Sequence, residues 1–167
     1  MGIFVDKESG MMKIIFLDID GVLNTDRQIR INDLKQINDL DFDPKVMDNL
    51  KKIVDQSEAR IVITSTWRVH RKENGYLWKE LVRNFEAYNI NPSCIIDITP
   101  ILDMSMKPEI RELEISKWLD VNNNVEKFVV LDDQWSMGKL NDYFIRCLSF
   151  NGITSEIADE VIKMLGS

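Results

Sequence analysis

Lys13-Ile14-Ile15-Phe16-Leu17-Asp18-Ile19-Asp20-Gly21-Val22-Leu23 is the stretch on which the reading of the fold turns. Its first part is apolar without interruption from Ile14 to Leu17 and then stops at an acid. A strand wetted on one face alternates apolar and polar residues, so an unbroken run predicts a central parallel strand buried on both faces, with its chemistry at the carboxyl end. Comparable runs stand at Arg60-Ile61-Val62-Ile63-Thr64 and Lys127-Phe128-Val129-Val130-Leu131, with a shorter one at Cys94-Ile95-Ile96 and a fifth over 144–148. Helical spacing fills the intervals. Val46, Leu50, Ile53 and Val54 follow the capping pair Asp43-Pro44, while Leu77, Leu81 and Phe85 mark a helix over 75–88. Ile115, Trp118 and Leu119 mark another over 109–120, and Thr154 caps a closing helix through Ile157, Val161, Ile162 and Leu165. This alternation predicts an α/β fold, a three-layer doubly wound parallel sheet. The polar stretch 28–43 reads as a loop able to act as a lid, and 99–108 as a loop bounded by Pro100 and Pro108.

With 167 residues, 44% hydrophobic and 29% charged, the chain has the balance of one globular domain, predicted over 12–167, preceded by an extension over 1–11. Met11 and Met12 stand just before the first strand, so the extension is expected either to precede the natural start or to be a mobile arm. The N-terminal residues carry Asp6, Lys7 and Glu8 and lack the basic start and apolar core of a signal peptide. No apolar run approaches the roughly 20 residues of a membrane helix. Two cysteines, Cys94 and Cys147, sit in apolar stretches, which excludes a disulfide framework and points to a reduced, cytoplasmic protein. A net charge of -7 repels polyanions, so a nucleic-acid partner requires a local basic patch. Arg68, His70, Arg71 and Lys72 form such a cluster.

Three of the strands end in polar residues: Asp18-Ile19-Asp20-Gly21, Thr64-Ser65-Thr66 and Asp132-Asp133. Sites in open parallel α/β sheets lie outside the carboxyl ends of the strands, so all three sets are expected in one crevice. Carboxylates gathered there repel one another, and a hard divalent cation with oxygen ligands relieves this; the expected metal is Mg2+.

On these residues the chain resembles the haloacid dehalogenase-like (HAD) phosphohydrolases. Their first motif is an apolar strand followed by Asp-x-Asp-Gly-Val/Thr-Leu, matched by residues 16–23; the second is a Thr or Ser closing a strand, matched by Thr64; the fourth is an acidic pair, matched by Asp132-Asp133. The resemblance is tighter to the small HAD domains of Swiss-Army-knife RNA repair proteins. It rests on Thr64-Ser65-Thr66-Trp67-Arg68, on Arg111-Glu112-Leu113-Glu114-Ile115 followed by Trp118-Leu119, and on residues 129–133. Glu112 departs from the glycine often found at that place.

The resemblance implies a Mg2+-dependent phosphomonoesterase. Asp18 is then the nucleophile that forms an aspartyl-phosphate, and Asp20 is the general acid and base, its carbonyl also binding the metal. For that role the pKa of Asp20 is expected to be raised relative to Asp18 by the neighbouring carboxylates. Thr64 and Ser65 donate to phosphate oxygens. Asp132 and Asp133 complete the metal site, with Asp133 favoured as the closer ligand. Arg111 fits best as the phosphate-neutralising cation, with Lys107 and Lys117 as alternatives. Arg68 and its basic neighbours read either as a substrate surface or as a solvated helix entry, and Trp67 as a packing residue or a base-stacking platform.

The chain leaves little room for a cap domain. An open site accommodates a large substrate, which with the repair-protein resemblance favours a nucleotide or an RNA or DNA end. The competing reading is a non-catalytic phosphate- or partner-binding module on the same fold. A dehalogenase is disfavoured by the second acid, Asp20, since that reaction has no alkoxide to protonate.

Overall fold

A computed structural model describes residues 10–36, 40–102 and 108–166. Most of the extension expected over 1–11 and the candidate cation Lys107 lie outside the described residues. Five strands, β1 (Met12–Leu17), β2 (Arg60–Ile63), β3 (Ile95–Ile98), β4 (Val125–Asp132) and β5 (Phe144–Arg146), form one sheet in the order β3-β2-β1-β4-β5. Every pairing is parallel.

The continuous apolar run of β1 divides between two cores. Ile15 and Leu17 face a large cluster shared with helices α2 (Pro44–Ser57), α3 (Tyr76–Ala87) and α5 (Ser155–Leu165), through side chains such as Leu50, Phe85 and Val161. Ile14 and Phe16 face a smaller one with Ile115 and Trp118 of helix α4 (Pro108–Val121). All four β1 residues are fully buried, as expected of a strand between two helical layers. On the α4 side, the Trp118 ring meets Phe16 edge-on at 5.4 Å, and its indole N–H donates to Asp97 Oδ2 at 2.7 Å. The helices begin as their caps predict: Asp43 accepts from the Lys45 amide before Pro44, and Thr154 from the Ile157 amide.

One element differs from the sequence reading. The stretch expected to be a loop over 28–43 begins with a further helix, α1 (Asp26–Leu34), capped by Thr25, whose hydroxyl accepts from the Gln28 amide. Among its residues only Asn32 is buried, while Ile29 and Leu34 are exposed. With no apolar stripe, its periodicity is invisible; polar contacts hold it instead, among them Arg27 to Asp43 and Asn32 to the Asp41 carbonyl. The fifth strand is also shorter than expected, because the chain turns at Leu148, whose carbonyl accepts from the amides of Asn151 and Gly152. No helix among the described residues is long and apolar enough to cross a membrane.

The segment between α1 and α2 is fastened by one buried amide. Asn84 on α3 accepts from the Phe42 amide at 2.9 Å and donates to the carbonyls of Leu40 and Glu80. Asn84→Ala strands a buried N–H, which costs about 1–3 kcal/mol. The expected outcome is a fall in Tm of roughly 2–4 °C per kcal/mol, read by thermal unfolding. An unchanged Tm would show that the segment is held elsewhere.

Candidate active site

The sheet register sets the site. Leu17 of β1 pairs with Ile63 on one side and Leu131 on the other, so the residues one step beyond fall side by side. The ladder continues into them: the Asp18 amide donates to the Leu131 carbonyl at 3.1 Å and the Thr64 amide to the Leu17 carbonyl at 3.0 Å. Asp18, Thr64 and Asp132 are thereby brought together, all of them buried.

After Asp18 the chain folds back sharply. The amides of Val22, Leu23 and Asn24 all donate to the Ile19 carbonyl, and Gly21 adopts a φ of +80°. A Cβ at Gly21 would lie 2.3 Å from Asp133 Oδ2, so glycine is required here both by the left-handed backbone and by the close approach of β4's exit. That approach completes a cluster: carboxylate oxygens of Asp18, Asp132 and Asp133 lie within 4.8 Å of one another.

Arg111, in the first turns of α4, reaches into this cluster. Its Nη1 lies 2.5 Å from Asp132 Oδ2 and 3.6 Å from Asp18 Oδ1, and donates to the Thr64 hydroxyl at 3.3 Å. Lys117, the other described candidate, is exposed further along α4, beside Pro100 and Ile101. Glu112, the departure from the motif, accepts from the Lys139 amide and lies against Gly138, a contact outside the acidic cluster.

One guanidinium does not balance three carboxylates. Burial first, and then Asp132, push the Asp18 carboxyl well above the usual range, although Arg111 opposes the shift. Burial and Asp132 likewise push Asp133 up to about 6. Arg111 is itself penalised by burial, but Asp132 and Asp18 outweigh this and raise its pKa. The raised pKa of Asp18 follows first from its burial at the end of β1. The donor set is all oxygen, hard and short of positive charge, which fits a divalent cation such as Mg2+. Asp132 has both oxygens engaged, Oδ2 by Arg111 and Oδ1 by the Gln134 amide at 3.1 Å. Asp133 is the less buried of the pair.

Asp20 stands apart from the cluster. It is exposed, and its carboxylate is aimed by two donors: the Trp67 indole N–H at 3.1 Å and the Asn24 side-chain amide at 3.2 Å. Asn24 is a site residue that the motif reading did not single out. Trp67 does pack, edge-on against Phe42, and it also orients Asp20. Its place directly after Thr64-Ser65-Thr66 was the available signal, since an indole beside an acidic crevice is a donor with no competing acceptor role.

The basic cluster expected at residues 68–72 is not one surface. Arg68 is buried, ion-paired with Glu114 at 2.7 Å, and donates to the carbonyls of Thr64, Ser65 and Pro100. Burial pulls its pKa down, with Glu114 opposing. Arg71 pairs with Asp97 at 3.4 Å, and Lys72 is exposed. The Ser65 hydroxyl caps the short turn that carries this segment by accepting from the Trp67 amide.

A family model described as the HAD domain in Swiss Army Knife RNA repair proteins matches residues 14–158, nearly the whole described chain. Comparison with curated proteins and with solved structures gives no match.

A carboxyl whose folded-state pKa exceeds its unfolded value withdraws stability as it ionises. The metal-free chain therefore loses the Asp133 contribution as pH rises from about 4 through about 6. In a chelator at neutral pH, Asp133→Asn should melt above the unsubstituted chain by roughly 2–4 °C per kcal/mol of relieved repulsion. The gap should close towards pH 4, and Mg2+ should raise the Tm of the original chain more than that of the variant. A gap that ignores pH would contradict this electrostatic account.

Proposed function

The chain belongs to the family of HAD domains in Swiss Army Knife RNA repair proteins, and from this premise we propose that it is a Mg2+-dependent phosphomonoesterase acting through an aspartyl-phosphate. The observation that supports the reading best is the side-by-side placement of Asp18, Thr64 and Asp132 with Arg111 bridging them. A nucleophile, a phosphate donor and a cation converge within one crevice.

Asp18 attacks phosphorus in line, forming the acyl-phosphate O–P bond as the ester O–P bond breaks. Asp20, held at the exposed side by Trp67 and Asn24, gives its proton to the departing alkoxide. Its carboxylate then takes a proton from water, which attacks the phosphorus, releases inorganic phosphate and restores Asp18. The equatorial oxygens are met by the Thr64 hydroxyl, the Ser65 amide and Arg111. Nη1 of Arg111 serves Asp132, Asp18 and Thr64, which leaves its other nitrogens free of partners among the described residues. Asp18, Asp133 and the Asp20 carbonyl would hold Mg2+, with Asp132 beside them. Bound there, the ion supplies neutralising charge for the carboxylates and the phosphate.

The substrate we propose is a nucleotide or an RNA or DNA end bearing a terminal phosphate. Its support is the family and the absence of a separate cap domain among the described residues, which leaves the strand-end crevice to large molecules. A cytoplasmic setting accords with the two buried, unpaired cysteines.

Phosphate release from p-nitrophenyl phosphate and from 5′- and 3′-phosphorylated oligonucleotides, with and without Mg2+, tests the proposal. Asp18→Asn is expected to reduce release to background and Asp20→Asn to slow it about 10²- to 10⁴-fold. Binding of phosphate esters with no turnover across the panel would instead identify a non-catalytic binding module. Trp67→Phe keeps the ring and removes the donor to Asp20, so kcat should fall about 5- to 10-fold with KM little changed. A change confined to KM would remove Trp67 from the orientation of Asp20.

A further inference from the structure

We propose that Trp135, backed by Arg146, is a stacking platform for the nucleobase adjacent to the phosphate being removed. The inference rests on the phosphatase reading above and adds the part of the substrate that is recognised. Trp135 follows the metal-site acid Asp133 by two residues, so their Cα atoms are at most about 7–8 Å apart. Arg146 closes β5 as the register partner of Asp132. Both therefore stand at the same end of the sheet as the carboxylates, in contact with each other beside the β4 exit.

Trp135 is 84% exposed, whereas the other three tryptophans are 8% exposed or less. One face of its ring is covered by the Arg146 guanidinium, 3.8 Å from the ring centroid. Among the described residues Arg146 has no carboxylate partner, so its charge stays on the ring instead of being neutralised. A second guanidinium–ring pair stands on a neighbouring loop: Arg27, ion-paired with Asp43, lies over Phe150, 6.0 Å from its centroid, and Phe150 is 47% exposed. Hydrogen bonds tie that loop to the turn after Asp20, from the Asp26 amide to the Ser149 carbonyl and from the Ile153 amide to the Val22 carbonyl.

The charge distribution favours a base over a phosphate backbone as the anchor. The chain carries a net charge of -7, and the arginines expected to offset it, Arg68 and Arg71, are paired with Glu114 and Asp97. Stacking needs no charge complement, and guanidinium-backed rings add cation–π attraction for a π ligand attached to an anion. A protein-docking patch would present bare apolar surface; here each ring is covered on one side by a cation.

The test compares an oligonucleotide whose terminal phosphate adjoins a base with ribose 5-phosphate, which has none. In Trp135→Ala the preference for the first over the second, as the ratio of kcat/KM values, should fall about 10-fold or more, through KM, and Trp135→Phe should restore most of it. In the inactive Asp18→Asn background, the same oligonucleotide should quench tryptophan fluorescence, and Trp135→Ala should abolish the quenching. Quenching without turnover in the original chain would overturn the phosphatase reading and leave the platform standing. Turnover with an unchanged preference would overturn the platform alone. If Trp135→Ala instead dissolves a self-associated species seen by sedimentation while the preference stays, the ring is a protein interface and the proposal fails.

Discussion

The parallel register of β1 against its two neighbours is the constraint on which the rest depends. Leu17 lies opposite both Ile63 and Leu131, and the next step along each strand leaves the core and enters the crevice. A slip of one residue in either neighbour would turn its apolar side chains to the opposite face. Both faces are filled, Ile15 and Leu17 by one core, Ile14 and Phe16 by the other, so a slip would disrupt two helical layers at once. Packing thus holds the register, and the register holds the chemistry. Gly21 adds the remaining degree of closure by letting the chain pass within reach of Asp133.

The crevice is the least comfortable part of this molecule. Three carboxylates and one guanidinium sit at the end of a dry sheet, and the raised pKa values of Asp18 and Asp133 express the mismatch. The surrounding structure enforces it, since Asp18 and Asp132 are backbone-bonded into the ladder and cannot turn outward without breaking it.

Much of this was legible from residues alone because the informative segments are buried and local. An unbroken apolar run ending in an acid reports a central strand and the end where its polar residues gather, and three such endings are hard to place anywhere but one edge. What was not legible depends on partners distant in sequence. Arg68 reads as surface charge beside His70 and Arg71, but Glu114, contributed by α4, draws it inside. Asp20 reads as one more member of an acidic group, but Trp67 and Asn24 turn it outward. Helix α1 escaped for the opposite reason: it buries almost nothing, so it leaves no apolar period to read.

The Arg68–Glu114 pair carries a consequence for how this sequence can vary. Arg68 holds the carbonyls of Thr64 and Ser65 beneath the site, and Glu114 also accepts from the Leu102 amide while lying one turn beyond Arg111 on α4. Removing either charge alone would strand the other in the interior, at a cost of about 3–5 kcal/mol, a large share of the stability of a domain this size. A single substitution at either position is therefore costly, whereas replacing both residues with apolar ones of similar volume removes the stranded charge. The two positions are thereby coupled in energy, and Arg111, three residues before Glu114 on the same helix, is anchored to the pair.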